Sequence, residues 1–255
     1  MDQTDIATTR FFVKNIRKIV WAASAAIALL VFFFVEIAFK QTPGLIGVRL
    51  TEAYALIALV FLYISLLPSP FYAVFPDFPY KAIVIKSRRA TGTSTFFFAL
   101  LHAFAALQFE LGGFSGLKFL NNEYLLGISY SFAALVILAV LTVTSFDFAV
   151  SALGKKWKWI HRLVYLAAIL VVIHAFLLGS QFANISEAIP QVFLIALLFL
   201  LLLESTRAAK FLHKKYRRFS LLSWNIAVFV LFVFGLFLIY KFFLPASVTG
   251  GAHTH

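Results

Sequence analysis

The sequence reads as an all-α membrane protein, a bundle of seven transmembrane helices with the N-terminus inside and the C-terminus outside. Three observations carry this. Apolar residues make up 62% of the 255-residue chain and charged residues only 13%, too few for the surface of a soluble domain. Apolar runs recur along the chain at lengths near the roughly 20 residues that span hydrocarbon as a helix. Basic residues crowd every second connection, as in a multi-pass protein whose positive loops stay cytoplasmic.

The seven runs lie at Ile19–Phe39, Leu50–Leu67, Thr93–Leu111, Leu125–Phe146, Trp159–Leu178, Ile189–Leu203 and Leu222–Phe243. Their lengths exclude a transmembrane barrel, whose segments are about 10 residues of alternating pattern. Ala22-Ala23-Ser24-Ala25 looks cleavable. The first apolar run nevertheless exceeds the roughly 7–15 residues of a signal peptide, so it reads as a retained helix. The expected organisation is a cytoplasmic tail at 1–18, a membrane domain at 19–244 and an extracytoplasmic tail at 245–255.

Orientation follows from Lys and Arg. Dense segments hold Arg10, Lys14, Arg17 and Lys18; Lys81, Lys86, Arg88 and Arg89; Lys155, Lys156, Lys158 and Arg162; and Arg207, Lys210, Lys214, Lys215, Arg217 and Arg218. These are 18 of the 22 basic residues, and Lys40, Arg49, Lys118 and Lys241 lie on the other side. The net charge of +12 therefore reflects topology, not nucleic-acid binding. Contact of the basic face with anionic lipid or an acidic partner is the lesser reading. The chain has no cysteine, which excludes disulfides, thiolate metal sites, iron–sulfur clusters and covalently attached c-type haem. No GxGxxG or GxxxxGK[ST] loop occurs, so any chemistry takes place in the membrane or is delivered by another component.

Six histidines remain to be explained. His253 and His255 belong to the C-terminal tail, and His213 to the basic connection between the sixth and seventh runs. His102, His161 and His174 lie in the third and fifth runs, where ionisable groups mark function by default. The bland reading of each is a helix–helix hydrogen bond worth about 0.6 kcal/mol. His102 follows Arg89 by 13 residues and His174 follows Arg162 by 12. With those arginines at the inner interface, both imidazoles sit roughly 18–20 Å deep, at about 1.5 Å per residue. They are candidates to clamp one haem iron between two helices. Ala99, Ala103, Ala105, Ala106, Ala175 and Gly179 would leave room for a flat cofactor. His161 stands nearer the cytoplasmic end, and Arg88, not histidine, precedes His102 by 14 residues. On an ideal helix His161 and His174 point about 140° apart, which fits a second haem only if His161 sits in an irregular turn.

These residues resemble the ferric-reductase-like transmembrane domain family, and within it the MsrQ branch of bacterial haem subunits. The matching pieces are Arg88-Arg89-Ala90-Thr91-Gly92, Ala99-Leu100-Leu101-His102 and Thr144-Ser145. They continue with Leu153-Gly154-Lys155-Lys156-Trp157, His161, Val164-Tyr165-Leu166, Ala168-Ile169-Leu170 and His174. The resemblance spans roughly residues 45–205, and the seventh run, 222–243, is extra to it. It implies b-type haem, one or two, with His102 and His174 as paired ligands and His161 at a second position.

It also implies a path for electrons through the bilayer. They would pass from a cytoplasmic flavoprotein reductase or quinol to an extracytoplasmic reductase, ferric chelate or oxygen. Arg88, Arg89, Lys158 and Arg162 are placed to neutralise inner propionates or engage an acidic reductase, and Arg88 also suits an anionic flavin or quinone; plain positive-inside anchoring is the competing role. The alternative from another class is a haem-free transporter or scaffold with structural histidines. A retinal protein is excluded, because Lys241 stands at the end of the seventh run, not in its middle.

Overall fold

The computed structural model describes residues 3–217 and 219–243. The expected tail at 245–255, with His253 and His255, and Arg218 lie outside the described residues. Ten α-helices occur in order among the described residues. They are α1 (Gln3–Ala38), α2 (Ile46–Leu66), α3 (Pro68–Val74), α4 (Lys81–Ala105), α5 (Asn122–Val143), α6 (Asp147–Leu153), α7 (Lys156–Ile160), α8 (Leu163–Leu178), α9 (Ala188–Lys215) and α10 (Leu221–Phe243).

Seven helical segments among the described residues are long and apolar enough to cross a membrane. They are Phe11–Ala38, Pro43–Val74, Lys81–Glu110, Asn122–Val143, Lys156–Leu178, Ala188–Lys215 and Leu221–Leu238. Each overlaps one apolar run of the sequence, but several reach well into the basic connections. The first helix starts at Gln3 instead of near Ile19, and the third at Lys81 instead of Thr93. Helix α9 continues through Arg207, Lys210, Lys214 and Lys215. A helix satisfies its own backbone on either side of the interface, and Lys and Arg stems extend along it into the headgroup region.

Two compact units make up the chain. The larger comprises α1, α2, α4–α7 and α8 as far as His174. Its core is a cluster of Ala28 and Val35 from α1, Leu50, Tyr54 and Ala58 from α2, and fully buried Phe98 from α4. Phe98 stacks on Phe61 with ring centres 5.3 Å apart, and Tyr54 donates its hydroxyl to the Ala28 carbonyl at 3.2 Å. Small residues let α1 and α4 approach closely, and the buried Ser24 and Ser94 hydroxyls bond at 2.7 Å. In the second unit α9 packs against α3 and α10. There Asn225 of α10 accepts from Ser205 at 2.8 Å and donates to Thr206 at 3.0 Å, which ties α10 to α9.

Candidate functional site

Helix α4 carries Arg88, Arg89 and His102 and ends in a change of helical pitch. Ala106–Glu110 form a π turn, closed by the Leu111 amide bonding to the Ala106 carbonyl at 3.0 Å. Such turns are rare and concentrate at functional sites. His102 lies just before it, and its Nδ1 sits 3.0 Å from the Thr51 carbonyl oxygen of α2. A carbonyl oxygen only accepts, so Nδ1 carries the hydrogen and the neutral ring keeps its lone pair on Nε2.

His174 repeats the arrangement on α8. Its Nδ1 lies 3.1 Å from the carbonyl oxygen of Gly127, a buried residue of α5. The two imidazoles face each other with ring centres 6.1 Å apart and planes at 68°. The structure thus brings together the two histidines matched by depth in the sequence. Among the described residues, no group of three or more His, Cys, Asp or Glu forms a metal site.

His161 is placed elsewhere. The chain leaves α7 at Ile160 and re-enters a helix at Leu163, so His161 and Arg162 form the break between α7 and α8. The His161 ring lies against Trp157 with centres 4.1 Å apart, and Nε2 is 3.2 Å from the Thr144 hydroxyl. Trp157 donates its indole N–H to the Thr144 carbonyl at 2.9 Å. His161 is thereby engaged through Nε2, one of the two nitrogens open to a metal.

The basic residues have local partners. Arg88 donates through Nε to the Ser65 carbonyl at 3.0 Å, near the C-terminus of α2, where cations are favoured. Arg89 donates to the Ser145 carbonyl at 3.3 Å and to Asp147 at 2.8 Å. Arg17 grips the same Asp147 carboxylate through both terminal nitrogens at 3.0 Å. The hydrogen bond from Arg17, then that from Arg89, hold the Asp147 carboxyl below the usual carboxylate range. The Arg162 guanidinium lies 4.4 Å above the ring centre of the exposed Trp159. In the second unit, His213 Nδ1 donates to the Phe219 carbonyl at 2.9 Å just past the end of α9. Of the small residues noted in the sequence, Ala99 packs against the core cluster.

Thr51, Gly127 and the π turn had no signal in the sequence, because backbone carbonyls and helical pitch are open to most residue types. Trp157 had one: it stands four residues before His161, the spacing that stacks side chains on a helix.

Residues 52–172 match the family described as ferric reductase like transmembrane component. The matched stretch contains His102 and His161, while His174 lies two residues beyond it. A protein-methionine-sulfoxide reductase heme-binding subunit MsrQ from Enterobacter sp. is 36% identical over 125 residues, covering 46% of this chain and 57% of the relative. Proteins of the same name from Salmonella paratyphi B and Salmonella newport are 38% identical over 122 residues, with the same coverage. The chain thus spans little more than half the length of the curated relatives it matches. No solved structure matches. With its seven apolar helices and these bacterial relatives, the chain is a multi-pass protein of the bacterial inner membrane, carrying a ferric-reductase-like region.

Proposed function

We propose that this protein binds haem b between α4 and α8 and carries electrons across the membrane. The observation that supports this best is the His102–His174 pair, with each Nδ1 held by a carbonyl and each Nε2 left as the lone-pair nitrogen. Imidazole–metal bonds are about 2 Å long, so an ion held by both rings would need ring centres no more than roughly 6 Å apart. The 6.1 Å separation fits that requirement. Two protein ligands leave the ion's remaining positions to a macrocycle. The relatives are named heme-binding subunits, which supports haem and a separate partner chain.

A haem bound there supplies one-electron transfer at its iron. The chain's own groups do the rest. Thr51 and Gly127 fix the tautomer and direction of the two imidazoles, which raises their basicity as ligands. The apolar walls of α4 and α8 keep water away. The basic segments stand on the cytoplasmic side, with the N-terminus inside and residue 245 onward outside. Electrons enter there from a flavoprotein reductase or a quinol and leave outside to a reductase, ferric chelate or oxygen.

One haem fits better than two, because His161 Nε2 is occupied by Thr144. His161, with Arg88, Arg89 and Arg162, then serves the inner face, where donor and propionate charges are met. Purified protein, expressed with ample haem, is expected to show a reduced-minus-oxidised b-type spectrum with about one haem per chain. Folded but colourless protein would instead establish the haem-free transporter or scaffold reading, in which both histidines only bond backbone carbonyls.

A further inference from the structure

The π turn after His102 packs against α2, and the closest approach is at Gly47. Gly47, buried in the first turn of α2, faces Phe109 of that turn, and a Cβ at position 47 would collide with the Cβ and Cγ of Phe109. The Phe109 Cβ is fixed by the π-turn backbone, so no rotation of the side chain relieves that collision. Only glycine permits this approach of α2 to the turn.

The same turn of α2 leads to the candidate ligand. Thr51, one turn on, donates its hydroxyl to the Gly47 carbonyl at 2.9 Å, and its own carbonyl receives His102 Nδ1 at 3.0 Å. The π turn begins four residues after His102 and repeats the contact with α2 at its far end. Helix α2 is therefore held at Gly47, against Phe109, and one turn on at the Thr51 carbonyl, against His102.

We infer that Gly47 and Phe109 are positioning residues that set how tightly the Thr51 carbonyl holds His102, and thereby tune the electron affinity of the centre. The inference rests on the haem reading above. A firm N–H···O bond makes the imidazole a stronger donor, and loss of such a partner typically weakens metal retention roughly 10- to 100-fold. A weaker donor also stabilises ferric iron less, so the midpoint potential rises.

Redox titration of purified holoprotein, with haem retention measured beside it, tests this on three variants. Gly47→Ala is expected to raise the midpoint potential and to weaken retention roughly 10- to 100-fold. Gly47→Ala with Phe109→Gly moves the Cβ from one side of the contact to the other and should restore the wild-type potential. Deleting Gln108, which removes the extra residue of the π turn and leaves Gly47 untouched, should raise the potential again. This arm stands even where Gly47→Ala fails to accumulate. A merely structural role would lower the yield of holoprotein and leave the potential of what remains unchanged. A wild-type potential in Gly47→Ala or in the Gln108 deletion overturns the inference, as does a double variant shifted as far as Gly47→Ala. Wild-type protein without haem overturns the underlying reading instead, and is distinguished because no variant then has a potential to measure.

Discussion

The imidazoles of His102 and His174 stand 6.1 Å apart between α4 and α8, and each is braced from behind by a main-chain carbonyl. Neither brace is itself a side-chain group. The pair is held by where α2 and α5 pass, so its geometry is a property of helix packing.

Topology is testable directly, because the chain has no cysteine of its own. Lys158→Cys should react with a membrane-impermeant maleimide only after cells are opened. Phe119→Cys, at a residue 88% exposed between α4 and α5, should react in intact spheroplasts. The reverse pattern would invert the orientation drawn from Lys and Arg.

At the inner face, His161→Ala should keep the full haem content and slow reduction by a cytoplasmic donor, and Arg88→Gln should do so more mildly. Stopped-flow reduction in oriented vesicles reads this. Unchanged rates in His161→Ala would leave that ring as an interfacial residue stacked on Trp157.

Asp147 ties Arg17 of α1 to Arg89 of α4. Its carboxyl titrates below the ordinary carboxylate range, so the bridge stabilises the fold above about pH 4 and is lost as pH falls through the lowered value. Asp147→Asn should melt below wild type at neutral pH, and the gap should close toward pH 3. A gap that persists in acid would assign the loss to packing. The side chain is 67% exposed, so the effect at neutral pH is expected to be small.

Phe98 is the largest fully buried side chain and joins α1, α2 and α4. Phe98→Ala should cost about 3–5 kcal/mol, read as lowered thermal stability in detergent. A loss under about 1 kcal/mol would mean that the cavity collapses onto Phe61 and Tyr54.

Much of this was legible in the sequence, for identifiable reasons. Seven apolar runs fix the helix count, since no other structure satisfies backbone in hydrocarbon at those lengths. His102 and His174 pair by nearly equal distances from Arg89 and Arg162, 13 and 12 residues, and helices of constant rise preserve that depth. Helix ends were less legible: Lys81 to Gly92 looked like a loop by polarity, yet the helix simply continues out of the apolar layer. The break at His161–Arg162 was foreseen only as a condition, from the angular misfit with His174. Thr51, Gly127 and the Gly47–Phe109 contact were invisible, because they act through carbonyls and through the absence of a side chain.

Ligation of one iron by both His102 and His174 is read by low-temperature electron paramagnetic resonance of the oxidised protein. Wild type should give a low-spin ferric signal of bis-imidazole type, and His102→Ala and His174→Ala should each abolish it. A full low-spin signal persisting in either variant, or none in haem-replete wild type, would contradict the account.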